Sequence, residues 1–351
     1  MPLGTRTALG TRTALTKIAG HVPRVTVAAV AALALTACGS NATGKAESKP
    51  SGEAEAKSAA FPVTVEHKYG STKIEAEPKK VVTLGLSDQD AVLALGVRPV
   101  GSVDWFKEKP YGKWPWTKEL WGSTPPQIVG ERDEYNMEKI AALKPDLIVA
   151  QYSGMKKEQY DTLSQIAKVV AQPKGHEDYQ ASWQVRTKQI GKALGKDAES
   201  EKLIAGIDAR FKAVRDKHPE WKGRTVAVGE PYGGKYSAFS PRDPKVMFLT
   251  EMGFTTSAAY EKALGKQNIA ELSSERLDVM DADRTVWLGT PESEKAVKAD
   301  PLYKKTKVHQ EKRDLFLPYN SPDIGAALSF NTVLSIPYAI DEVVPRLEAI
   351  K

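Results

Sequence analysis

PKKVVTLGLSDQDAVLALGVRPVG, residues 78–101, and NMEKIAALKPDLIVA, residues 136–150, are the two stretches whose reading decides the fold. In the first, Val81-Val82-Thr83-Leu84-Gly85 is a short apolar run with the character of a buried strand. Asp88 to Leu95 follows with the spacing of an amphipathic helix, ended by Gly96, and Pro99 to Val103 reads as a second strand. In the second stretch Asn136 is placed to cap a helix over Met137–Leu143, which must stop at Lys144-Pro145 because the residue before proline avoids helical backbone. Asp146 to Ala150 is again an apolar strand. Strands alternating with helices predict an α/β fold with a mostly parallel sheet covered on both faces.

The second half of the chain repeats this scheme. Thr225-Val226-Ala227-Val228-Gly229 matches Val81 to Gly85, and Ser273 to Met280, within LSSERLDVMDADRTVWLG, aligns without a gap with Asn136 to Leu143. Each segment has a capping residue, a glutamate two positions later, then a basic residue, with apolar residues on one helical face. Asp146 and Asp283 fall in register before the strands that follow. Two similar lobes are therefore expected. Between them Asp178–Leu194 and Ala198–Lys217 both carry helical patterns, and in the second Leu203, Ile204, Ile207, Phe211 and Val214 share one face. A helix of roughly 20 residues spans about 30 Å, enough to run from one lobe to the other. The expected boundaries are an N-terminal lobe over 61–194, an inter-lobe helix over 195–221 and a C-terminal lobe over 222–351.

The segment before the lobes has a different character. Arg6, Arg12, Lys17 and Arg24 precede an apolar stretch from Val25 to Leu35, and no acidic residue interrupts them. An apolar core of about 10 residues is too short to span a bilayer, which takes roughly 20, and marks a secretory signal over 1–37. Residues 39–60 hold no large apolar side chain and cannot offset the entropy of ordering, so 38–60 is expected to be a disordered tether, on the order of 25 Å long on average. The chain has 351 residues, 41% hydrophobic and 27% charged, ordinary for a globular protein. Its formal charge of +6 falls to about +2 once the four basic residues of the signal are removed, and no basic cluster interleaved with aromatics argues for nucleic acid. Cys38 is the single cysteine, which rules out intrachain disulfides.

Leu35-Thr36-Ala37-Cys38 resembles a bacterial lipobox, in which the cysteine thiol is lipidated and becomes the mature N-terminus. Together with the tether, the two stretches quoted first, the long central helix and residues 272–289, it makes the chain similar to the substrate-binding lipoproteins of iron–siderophore ABC importers, the periplasmic binding proteins of ferric-siderophore and cobalamin type. The resemblance runs from Phe61 to Lys351. It implies two α/β lobes joined by one long rigid helix, a ligand cleft between them and only modest closure. It also implies a monomer held outside the cytoplasm on the cell membrane by its lipid, working with an ABC permease dimer and its ATPase. The ligand would be a ferric siderophore of hydroxamate type that supplies all the iron ligands, so that the protein needs neither a metal site nor a cofactor of its own.

Ligands of α/β lobes sit at the C-terminal ends of strands, which selects the candidate contacts. Four of seven tryptophans, Trp105, Trp114, Trp116 and Trp121, fall in one loop that also holds Tyr111. Trp105, nearest the strand end, is placed at the cleft and the others are expected to pack the loop. The resemblance puts Arg132, just before the Asn136 helix, against the iron-coordinating oxygens, a role that suits the planar donor fork of a guanidinium. Pairing with Glu131, Asp133 or Glu134 is the simpler alternative. Tyr152 matches a further family contact loosely, and Tyr232, Tyr236 and Tyr319 are the candidates from the second lobe, the first two in the glycine-bearing loop 230–236. Glu138 and Glu275 occupy equivalent first-turn positions, where an acidic side chain favours the helix dipole. In similar importers a glutamate on each lobe docks to the permease, and the resemblance gives them that role.

No nucleophile elbow, phosphate loop or H-E-x-x-H motif is present, and the histidines lack metal-ligand spacing. The chain is therefore expected not to be an enzyme. A haem- or cobalamin-binding lipoprotein of the same family, or an exported α/β enzyme, remains open on these residues.

Overall fold

The computed structural model describes residues 61–105, 114–232 and 235–350. The expected signal peptide, Cys38 and its tether, and Tyr111, lie outside the described residues, and for Tyr232 only the backbone is described.

A hairpin of β1 (Val63–His67) and β2 (Gly70–Ile74) precedes the first lobe. The lobe is built on β3 (Val81–Thr83), β4 (Gly101–Asp104), β5 (Gln127–Glu131), β6 (Glu134–Tyr135), β7 (Leu147–Val149) and β8 (Lys168–Val170), in the spatial order β6-β5-β4-β3-β7-β8. All neighbours run parallel except β5 and β6. β3 is wholly buried, as a strand covered on both faces must be. Gly101 on β4 is there for close packing: a Cβ would stand 2.6 Å from Leu143 Cδ1 at the end of the helix Met137–Leu143. That helix is capped as expected, the Asn136 side chain accepting from the Lys139 N–H at 2.9 Å.

The second lobe contains β9 (Val226–Tyr232), β10 (Lys235–Phe239), β11 (Ile269–Leu272), β12 (Arg284–Gly289) and β13 (Asp314–Pro318), ordered β11-β10-β9-β12-β13. Here β9, β12 and β13 run parallel, while β10 pairs antiparallel with both β9 and β11. This corrects two expectations. Half of the second sheet is antiparallel, and 230–236 is a tight hairpin, Tyr232 facing Lys235, rather than an open loop.

The internal repeat is visible in hydrogen bonds. Asp146 accepts from the backbone N–H groups of Lys79 and Lys80, just before β3, at 2.7 and 2.9 Å. Asp283 accepts from the Thr225 N–H, just before β9, at 2.8 Å. Each aspartate thus ties the start of its own strand to the start of the strand paired with it. The repeat is imperfect at Ser274–Met280, which forms a 3-10 helix in place of the expected α-helix. The reason is local. The Ser273 hydroxyl donates to the Glu275 carboxylate at 2.9 Å and caps no backbone N–H, whereas Asn136 does.

Asp197–Lys217 is a single helix of 21 residues. Ile207, Phe211 and Val214 on its buried face belong to one continuous core with Val81 and Leu147 of the first sheet and Val226 and Val286 of the second. The C-terminal helix Ser335–Glu348 lies along it, with ion pairs Arg210–Asp341 and Lys217–Glu348 at the edges. Among the described residues no helix is long and apolar enough to cross a membrane.

Candidate functional site

Strand ends of both sheets converge on a cavity of about 630 Å³ between the lobes. Leu86 reaches it just beyond β3, Trp105 beyond β4, Arg132 from the β5–β6 turn and Tyr152 beyond β7; Glu230 closes it from β9 and Tyr319 from beyond β13. Four of the candidates, Trp105, Arg132, Tyr152 and Tyr319, therefore share one cavity.

Arg132 adopts a left-handed backbone, φ 51°, in the two-residue turn between β5 and β6, and its N–H donates to the Asp104 carbonyl at 2.9 Å. Such a conformation is uncommon for a side-chain-bearing residue and costs energy, which makes the position one to weigh functionally. The guanidinium lies 5.6 Å from the Tyr179 ring, and its Nε is 3.9 Å from an Asp133 oxygen, the outer limit of an ion pair. Asp133 itself is held chiefly by others: Tyr179 donates its hydroxyl to one oxygen and the Gly154 N–H donates to the other at 2.9 Å. The Arg132 side chain stays about half exposed, on the cavity side.

The tryptophan loop divides. Trp114 and Trp121 are fully buried, Trp114 stacks on Trp116 at 5.2 Å, and the Trp116 Nε1–H donates to Asp90 at 3.0 Å. Trp105 leans on Phe330 of the second lobe, centroids 5.0 Å apart, and contributes its remaining surface to the cavity. An aromatic contact therefore joins the lobes beside the ligand space.

Tyr236 is not in this cavity, a correction that follows from strand parity. On β10, Tyr236 and Ala238 face the core of the second lobe, where the Tyr236 hydroxyl donates to Asp300 at 2.8 Å. Phe239, one residue out of phase, turns to the inter-lobe side and lines the cavity. Tyr236 instead borders a neighbouring pocket of about 480 Å³ with Glu230 and Tyr319. Glu138 and Glu275 are exposed, away from the cavity lining.

Sequence reading missed the cavity's other charges. Lys245, at the start of the helix Pro244–Glu251, holds its ammonium 3.9 Å from the Phe239 ring centroid and 3.1 Å from Asp243. Arg242 and Tyr179 also line the cavity. A second omission concerns buried polar groups. Asp88, Gln89 and Asp90, the polar residues that open the expected amphipathic helix, are buried. Asp88 accepts from the Gln151 and Tyr152 N–H groups at 2.6 and 3.1 Å, fixing the loop that presents Tyr152. Arg186 lies buried with them, donating to the Ser87 hydroxyl at 2.7 Å and the Asn331 carbonyl at 3.2 Å, with its guanidinium 4.3 Å from the Tyr152 ring centroid. Burial lowers the Arg186 pKa and raises that of Asp88. Burial also lifts Asp90 to about 7, with Thr332, Trp116 and Gln89 donors offsetting part of the rise. The one available signal was two aspartates flanking a glutamine where a helix should turn its apolar face inward.

Among the described residues no group of three or more histidine, cysteine, aspartate or glutamate side chains is arranged to hold a metal. His67 bonds the Thr72 hydroxyl, His218 stacks on Trp221 between Glu220 and Glu348, and His309 meets Asp314, all structural contacts. What the site offers is an aromatic, mixed-charge cleft that can enclose a rounded ligand bearing clustered oxygens.

Residues 81–318 match the model of the periplasmic binding protein family. YhfQ of Bacillus subtilis, named as an ABC transporter substrate-binding lipoprotein, is 38% identical over 155 residues, 44% of this chain and 46% of its own length, so the chain aligns with about half of that relative. YfiY of the same organism, named as a siderophore-binding lipoprotein, is 29% identical over 268 residues, 75% of this chain and 77% of its own. The crystal structure of PiaA from Streptococcus pneumoniae in complex with ferrichrome superposes with a TM-score of 0.69 at 30% identity, over 82% of this chain and 98% of that one.

Proposed function

The chain belongs to the periplasmic binding protein family, and from that premise we propose that it is the capture component of an ABC importer for a ferric siderophore, of hydroxamate type. The observation that carries this reading is the shared cavity of Trp105, Arg132, Tyr152 and Tyr319 at the strand ends. Its volume of about 630 Å³ is of the size small-molecule sites take. The aromatic walls give large contact area, and Arg132 presents donors to the oxygens that wrap the iron. The ferrichrome complex of PiaA supports this ligand class, and the name of YfiY, a siderophore-binding lipoprotein, supports a siderophore in general. The siderophore supplies the iron ligands, and no catalytic chemistry is assigned to the cavity.

In this reading Cys38 carries the lipid that keeps the protein at the outer face of the membrane, and the exposed Glu138 and Glu275, one on each lobe, meet the permease dimer. Haem is a weaker ligand: no histidine is among the described residues lining the cavity, and the Tyr152 side chain is buried. The test is a tryptophan-quenching titration of the mature chain with ferric hydroxamates, ferric catecholates, haem and cobalamin in parallel. Saturable quenching by a ferric hydroxamate is expected. Binding of haem or cobalamin alone would overturn the assignment.

A further inference from the structure

Glu230 stands where the inter-lobe cavity meets the neighbouring pocket of about 480 Å³, and it lines both. On β9, Val226 and Val228 precede it on the same face, and both are buried in the core that joins the lobes. Glu230 is the first residue of that row beyond the core, partly buried where the two pockets meet. Among the described residues no basic side chain forms a hydrogen bond or ion pair with it. The charges around it are otherwise engaged. Lys245 is held by Asp243 at 3.1 Å, and Lys235, which also lines the side pocket, pairs with Glu271 at 2.7 Å. Glu292 sits in the first turn of the helix Pro291–Ala299, where it takes up the positive end of the helix dipole. Arg132, by contrast, reaches the main cavity from the first lobe. Arg242 and Lys245 also line the main cavity from the second lobe, and Glu230 is, among the described residues, the carboxylate without an ion pair at the passage into the second pocket.

We propose that this side pocket is a subsite for a cationic arm of the ligand: a ferric chelate carrying a free ammonium group, whose oxygens face Arg132 and whose ammonium bonds Glu230. This rests on the siderophore reading and adds a specificity to it. The passage suits such an arm, because Tyr319 also lines both pockets and offers its ring to the arm's methylenes. Burial holds the Glu230 pKa above the ordinary carboxylate range, with Lys245 offsetting part of this, so an arriving cation also favours the ionised form that binds it.

The experiment compares two probes, a ferric trihydroxamate with a free terminal ammonium and the same chelate N-acetylated. Both are titrated by tryptophan quenching against the mature chain and the Glu230→Gln variant, with thermal melts to check folding. The unmodified chain should prefer the ammonium form by about tenfold or more, the scale of a charge-assisted hydrogen bond. Glu230→Gln should reduce that preference to within about twofold. Equal affinity of the unmodified chain for the two chelates, or full preference retained in Glu230→Gln, overturns the subsite while leaving the siderophore reading in place. Binding of neither chelate, with haem or cobalamin bound instead, overturns both.

Discussion

Asp90→Asn is expected to stabilise this protein, and to do so only above acidic pH. Asp90 is fully buried. Its Oδ2 accepts from the Thr332 hydroxyl at 2.6 Å and the Trp116 Nε1–H at 3.0 Å, and its Oδ1 from the Gln89 amide at 3.3 Å. Burial raises its pKa from 3.8 to about 7. A carboxyl whose folded pKa is raised binds more protons folded than unfolded, so its contribution to stability falls as pH climbs from about 4 to about 7 and is flat above. At 1.36 kcal/mol per unit, a rise of about 3 units amounts to a few kcal/mol, an upper figure for the cost of keeping the group ionised at pH 8. Asparagine keeps the oxygen that meets Thr332 and Trp116. Its NH₂ replaces Oδ1, and the Gln89 amide can rotate to present Oε1, which has no hydrogen-bond partner in the structure. Urea denaturation of both proteins at pH 4.5, 6 and 7.5 measures the difference. Near-equal stability at pH 4.5 and an advantage for Asp90→Asn that widens to about pH 7 are expected. A difference that stays constant across this range, or Asp90→Asn less stable at pH 7.5, would refute the reasoning.

Arg132→Ala should weaken binding of a ferric hydroxamate by roughly 10- to 150-fold, the equivalent of about 1.5–3 kcal/mol for a hydrogen bond to a charged group, with the melting temperature little changed. An unaltered titration curve would return Arg132 to its partner Asp133. Glu138→Ala combined with Glu275→Ala should leave ligand affinity intact and abolish uptake by cells, since paired charges across a docking face fix orientation more than they add affinity. Normal uptake by the double variant leaves these residues with their local roles alone. Mass spectrometry of the N-terminal peptide should show a lipid adduct on Cys38, and Cys38→Ala protein that still fractionates with membranes would contradict lipid anchoring.

The sequence by itself determined what depends on near neighbours. Val81 to Thr83 and Leu147 to Val149 announced strands because an unbroken β-branched and aliphatic run fits a strand buried on both faces. Asn136 announced its helix because a cap acts three residues away. The repeat of Asp146 and Asp283 was legible because each bonds the segment that opens its own lobe, so the same local requirement was written twice. Trp105 was placed by a strand that was itself legible, whereas Arg132 and Tyr152 were placed by the family resemblance; β5 before Arg132 and β13 before Tyr319 were not read from the sequence. Only the tertiary structure decided the rest. Tyr236 was misplaced by one residue of strand parity, which is set by the hairpin pairing with β9 and not by composition. Asp88 and Asp90 gave no sign of burial in the sequence because the groups that bond them, the Gln151 and Tyr152 N–H groups for Asp88 and the Thr332 hydroxyl for Asp90, come from about 60 to 240 residues further along the chain. A charge looks solvent-bound in sequence until the chain folds and supplies its partners, since burial and hydrogen bonding depend on distance in space.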